Sequence, residues 1–156
     1  MELSDDKIRA ILSDPAKHPP SARHLGFELI DFSVENGWVE VAFRPRAEFV
    51  NPAGAIQGGF VCAMLDDAMA VAASISKRLA VIVPTLQMTV TYLRPTPVER
   101  VVARGEVLRF SSSSVAMQGT LSDAGGRFVG GRHSERRAAA VSAMTRCARS
   151  AQSASN

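Results

Sequence analysis

Two adjacent carboxylates, Asp66 and Asp67, stand in the middle of an almost wholly apolar run over residues 60–75. Acids in such surroundings are rare unless something pairs or uses them. A carboxylate placed there can take a proton from water or attack an electrophilic carbon, and desolvation raises a carboxyl group's hold on its proton. Eight residues before Asp66, a glycine pair, Gly58-Gly59, falls where a helix should start. A helix start leaves backbone N–H groups without partners and carries a partial positive charge. Glycines there present no side chain to keep an incoming carbonyl oxygen away. Donors aimed at such an oxygen typically contribute about 3–4 kcal/mol of barrier reduction. The two features together suit chemistry at a polarised carbonyl.

The elements that must position them follow from the periodicity. Loop residues Asn51, Pro52 and Gly54 lead into a predicted helix over about 57–78. A helix apolar on every side is normally a buried one. The apolar run is expected to be too short and too acidic to cross a membrane. Upstream, Ser4 caps a short helix over 5–13, and Asp14-Pro15 and Pro19-Pro20 make a loop. Alternating runs at 26–34 and 38–44 flank Asn36-Gly37, the strongest short hairpin signal. Downstream, strand-like runs cover 81–93, 100–110 and 114–122, and a turn covers 123–126. The order predicts an α+β fold, an antiparallel sheet wrapped around one long central helix. The predicted boundaries are an N-terminal helix and loop at 1–20, the main domain at 21–130, and an Arg/Ala/Ser-rich tail at 131–156. The tail is expected to form a weak helix over roughly 134–148 or to lack order.

Charge and composition narrow the classes. The chain has 156 residues and a formal net charge of +3, with 46% hydrophobic residues. Six Arg and one Glu fall in residues 127–156, so the remainder carries a net −2. The basicity belongs to the tail, and no nucleic-acid partner is expected. Two cysteines, Cys62 and Cys147, make neither a disulfide framework nor a metal spacing. With an N-terminus unlike a secretory signal, a cytoplasmic location is expected, with neither a membrane nor a metal. Cys62 lies one turn before Asp66, but a buried Cys is usually a small hydrophobe. His18, His24 and His133 form no recognisable triad or ligand set.

At Asn51, Gly54, Gln57, Gly58, Gly59 and Asp66 the sequence resembles the PaaI-like group of hotdog-fold acyl-CoA thioesterases. That family carries N-x-x-G-x-x-(H/Q)-G-G and, seven residues further, a catalytic Asp or Glu on the central helix. LGFEL (25–29) and PTLQMTVTYLRP (84–95) extend the likeness, which covers about residues 22–129. The resemblance implies a hotdog fold and hydrolysis of an acyl-CoA substrate without a cofactor, by a homodimer or a dimer of dimers. It implies Gly58 N–H as the group polarising the carbonyl and Asp66, rather than Asp67, as general base or nucleophile. It further implies that Asn51 orients the carbonyl or the acid, and that Thr85 positions water near the partner subunit's Asp66. Gln57 replaces the more common His; it keeps a hydrogen-bond donor but cannot act as acid or base. Gly59 would contact substrate, and Arg94 and Arg109, at strand ends, stand where coenzyme A phosphates could lie.

Helix geometry adds a condition of its own. Gly58 and Asp66 are roughly 12 Å apart along one helix, so they cannot touch the same carbonyl. A working site then combines Gly58 of one subunit with the partner subunit's Asp66, as neighbouring helices in a two-fold dimer allow. Two other readings stand beside this one. A non-catalytic acyl-CoA- or lipid-binding hotdog protein would fit Gln57 and the altered tail. A hotdog dehydratase would need a His beside its carboxylate, and none occurs between His24 and His133.

Overall fold

The computed structural model describes residues 2–129, 141–146 and 148–149. Among these residues three α-helices, α1 (Asp5–Leu12), α2 (Pro20–Leu25) and α3 (Gly58–Ser76), accompany eight strands. The strands are β1 (Glu28–Ser33), β2 (Trp38–Phe43), β3 (Val81–Ile82), β4 (Thr85–Thr89), β5 (Val101–Phe110), β6 (Ser114–Ser122), β7 (Val141–Arg146) and β8 (Ala148–Arg149). Six of them form one antiparallel sheet in the order β1-β2-β5-β6-β7-β4, and β3 pairs with β8. The expected α+β architecture of a sheet around a central helix is what the chain adopts.

The strand periodicity explains why the sheet closes on α3. Val39, Val41 and Phe43 of β2, Val101 and Ala103 of β5, and Val115, Met117 and Leu121 of β6 are buried. They alternate with half-buried polar neighbours such as Glu40, Arg104 and Gln118, so one face of the sheet is apolar. Against that face α3 buries Met64, Leu65, Ala68, Met69, Ala72 and Ala73. Full burial of each larger side chain contributes on the order of 1.5–3 kcal/mol. At Gly105 the approach is closest: a Cβ there would overlap the Ala68 carbonyl and lie 2.8 Å from the Met69 nitrogen. Glycine is needed because the helix backbone itself occupies the space.

Helix α3 is 19 residues, long and apolar enough by length and composition to cross a membrane, contrary to the expectation that it is too short. What makes it a core helix is the sheet packed on Met64, Ala68 and Ala72. Its end is tied down by Arg78, which donates to the Leu3 carbonyl at 2.8 Å and pairs with Asp5 at 2.8 Å.

Two elements differ from expectation. The single strand predicted over 81–93 is split into β3 and β4, because Pro84 offers no N–H to a ladder. The second difference concerns the tail. Of the weak helix expected over 134–148, residues 141–146 instead form β7, and 134–140 and Cys147 lie outside the described residues. Alanine's helix preference is worth only tenths of a kcal/mol per residue. A segment inserted between β6 and β4 satisfies ladder groups on both sides at once. The sheet therefore continues past the boundary drawn at residue 130.

Two stability predictions follow from these contacts. A chain ending at residue 130 loses β7 and should melt well below the full chain, or fail to fold, in a thermal scan followed by circular dichroism. Gly105→Ala should cost about 3 kcal/mol or more in urea unfolding. Gly119→Ala, where the nearest neighbour is the flexible Met69 side chain at 3.1 Å, should cost clearly less.

Candidate active site

The loop before α3 is shaped by Asn51. Its side-chain oxygen accepts from Ala53 N–H at 2.9 Å and from Ala55 N–H at 3.2 Å, while its own N–H donates to the Ala55 carbonyl at 2.7 Å. That closes a tight turn whose Gly54 has φ +80°, a left-handed value that favours glycine. Ile56 N–H then donates to the Thr96 carbonyl at 2.9 Å and Gln57 N–H to the Phe49 carbonyl at 2.8 Å, so the first residue of α3 is placed from two sides. With its side-chain oxygen committed to the loop, Asn51 has only its amide NH2 left to offer a ligand.

At the helix start Gln57 occupies the N-cap position without a side-chain cap. Its carbonyl accepts from Phe60 N–H and Val61 N–H. Among the described residues nothing accepts from the N–H groups of Gly58 and Gly59. Both glycines line a cavity of about 510 Å³, walled by the 51–56 loop on one side and by Tyr92, Arg94 and Thr96 on the other. An added Cβ would meet nothing within 4 Å at Gly59, but at Gly58 it would come within 3.1 Å of the Tyr92 ring.

Two turns further along, Thr85, the first residue of β4, donates its hydroxyl to Asp66 Oδ1 at 2.5 Å. Asp66 is half-buried and Thr85 exposed. Asp67 lives differently: its Oδ2 is buried and has no hydrogen-bond partner among the described residues. Burial, followed by the negative charge of Asp66, pushes its carboxyl up to about 6, with a smaller opposing pull from His18. The desolvation that the apolar helix led us to anticipate thus falls on Asp67. His18, read from the sequence as a loop residue, is buried edge-on against Phe27 and bonds the Leu12 carbonyl through Nε2 at 2.8 Å.

The sequence-predicted residues therefore fall into two groups within one chain. Asn51, Gly58, Gly59 and Arg94 line the cavity, whereas Asp66 and Thr85 do not. Arg109 joins neither group. It is exposed near the end of β5, where the adjoining Phe110 ring lies under Lys77 at the far end of α3. Tyr92 is the residue that sequence reasoning passed over. Its hydroxyl donates to the Gly58 carbonyl at 2.9 Å and lies 2.8 Å from Cys62 Sγ. The signal was the aromatic residue inside PTLQMTVTYLRP (84–95), a stretch read only as a strand. Among the described residues no three His, Cys, Asp or Glu side chains gather as a metal site.

Comparison with known proteins bears on this arrangement. A family model described as the thioesterase superfamily matches residues 53–129. The chain is similar in structure to a putative thioesterase, a phenylacetic acid degradation-related protein, from Ralstonia eutropha JMP134. That match has 25% identity and a TM-score of 0.70 over 90% of this chain and 95% of that one. It also shares its fold with the PaaI protein of the E. coli phenylacetic acid degradation operon, at 16% identity and TM-score 0.71, covering 92% and 94% of the two chains. A thioesterase from Haemophilus influenzae shares the fold at 16% identity and TM-score 0.73, over 97% and 95%. No curated protein sequence matches the chain. The matched segment runs from Ala53, in the loop before α3, through the glycine pair and Asp66 to Val129, beyond β6, and the chain belongs to the thioesterase superfamily, with the hotdog fold of its PaaI-like members.

Proposed function

We propose that the protein hydrolyses acyl-CoA thioesters as a homodimer or a dimer of dimers, each site combining the helix start of one subunit with the partner subunit's Asp66. The observation that carries this reading is the division of α3. At its start Gly58 and Gly59, whose N–H groups have no acceptor among the described residues, line a cavity, and a Thr-anchored carboxylate two turns away does not line it. A thioester carbonyl oxygen accepts from Gly58 N–H, which favours the negative charge that develops on it. The partner subunit's Asp66 takes the proton of an attacking water, or attacks the acyl carbon itself. Thr85 fixes one carboxylate oxygen of Asp66, leaving the other for that task. The coenzyme A thiolate leaves and is protonated; the acid is released directly when water attacks, and by hydrolysis of the Asp66 anhydride by water when the carboxylate attacks. Arg94, exposed at the cavity mouth, supplies a charge for the coenzyme's phosphates.

The edge of β4, unpaired among the described residues, supports the dimer. Thr85, Leu86, Gln87 and Thr89 are exposed there, and Leu86, at 55% exposure, is unusual for a strand end left in water. An unpaired, partly apolar edge invites pairing with another chain. Edge-to-edge pairing of β4 with its copy would carry Asp66 towards the other subunit.

Asp66→Asn should lower kcat by about 100-fold or more in a free-thiol assay run with several acyl-CoAs, while leaving the melting temperature nearly unchanged. Full activity in that variant, or wild type that binds acyl-CoA without turnover, would overturn the hydrolytic role. Asp67 should behave oppositely. Its native carboxyl holds a proton up to about pH 6, whereas unfolded Asp loses it near 3.8. The native state therefore binds more protons between those values, and stability falls as pH rises from about 4 to 6, on the order of 2–3 kcal/mol. Asp67→Asn should remove that fall in urea titrations across this range and retain most of the activity.

A further inference from the structure

The carbonyl of Gly58 and the N–H of Gly59 belong to one peptide unit, and they point in opposite directions across a trans amide. Tyr92 donates to that carbonyl at 2.9 Å, while the N–H at the other end of the unit has no acceptor among the described residues and belongs to Gly59, which lines the cavity. The Tyr92 hydroxyl has one proton, and it is committed to Gly58 O. The 2.8 Å contact with Cys62 therefore has the thiol donating to the tyrosine oxygen. The result is a directed chain: Cys62 S–H to Tyr92 O–H to Gly58 C=O, ending at Gly59 N–H. Each bond in such a chain polarises the next. A carbonyl that accepts a hydrogen bond makes the N–H of its own amide a better donor.

We propose that Tyr92 is a positioning residue that orients and polarises the Gly58–Gly59 peptide, and that Gly59 N–H is a donor to the substrate's carbonyl oxygen alongside Gly58 N–H. This rests on the thioesterase reading of the same site. Space agrees with it. At Gly58 the Cβ direction is filled by the Tyr92 ring, but at Gly59 it is open, so a ligand atom reaches the Gly59 end of the unit unhindered. The tyrosine proton is secure: burial of the hydroxyl pushes its pKa up to about 12, so it remains a donor throughout the neutral range. Tyr92 itself is half-exposed, and its ring forms cavity wall while its hydroxyl reaches the helix.

The variant that isolates the hydroxyl is Tyr92→Phe, which keeps the ring against Gly58. On an acyl-CoA that wild type cleaves, it should lower kcat by about 3- to 10-fold with KM within twofold. In ¹H–¹⁵N spectra of the full chain, the Gly59 amide proton should move upfield in this variant, more than that of Gly58. Cys62→Ala should reproduce part of both effects, and Cys62→Ser, which keeps a donor, should restore them. An unmoved Gly59 amide, or a moved amide with unchanged kcat, overturns the proposal. Should wild type bind acyl-CoA without cleaving it, the hydrolytic reading fails but the donor is still tested. Saturating acyl-CoA then shifts Gly59 downfield in wild type and less in Tyr92→Phe, and no shift overturns the donor assignment.

Discussion

The structure depends on how closely α3 lies on the sheet. The Ala68 carbonyl rests on Gly105 with no room for a Cβ, and the Met69 side chain fills the space over Gly119. That contact sets the rotation of the helix as well as its depth. Met64, Leu65, Ala68, Met69 and Ala72 are held inward. Each residue then turns by about 100°, so Asp67, one step from Ala68, lies at the flank, and Asp66, two steps away, lies on the side facing β4. One backbone contact thus separates the environments of two neighbouring carboxylates. Asp66 has a hydroxyl partner and partial exposure, whereas Asp67 has a buried oxygen without a partner and a raised pKa.

The same rigid helix makes the site divisible. A straight α-helix separates Gly58 from Asp66 by roughly 12 Å, and no side-chain rotation closes that gap. The loop that begins at Asn51 and the segment from Tyr92 to Thr96 converge on the helix start, while β4 meets the helix at Asp66. Each half is well built on its own. The halves are complementary in chemistry, one offering donors and the other a base, and this makes a second copy of the chain the natural completion under the dimeric reading.

Much of this was legible in the sequence. Asn36-Gly37 announced the hairpin, alternation announced β5 and β6, and the apolar run announced α3. The spacing from Asn51 to Asp66 placed the turn, the glycine pair at the helix start and the carboxylate two turns along. Three features were not legible, for separate physical reasons. β7 is stabilised by neighbours distant in sequence, so local alanine preference pointed the wrong way. Which of two adjacent acids is desolvated depends on helix rotation, and that is decided by a glycine on β5 almost forty residues away. Tyr92 looks like any strand aromatic until the fold brings its hydroxyl to Gly58.

The glycine pair shows how one motif can hold two requirements. Both residues could be read as clearing a path for substrate, since any side chain at a helix start would crowd an approaching carbonyl. The structure separates them. Gly58 is glycine because the Tyr92 ring packs where its side chain would be, which is a packing constraint internal to the chain. Gly59 faces open space, so none of the described residues forbids a side chain there. A methyl group at Gly59 would instead stand at the mouth of the donors, in the cavity that both glycines line. Packing accounts for the first glycine, and under the thioesterase reading access to the N–H groups accounts for the second.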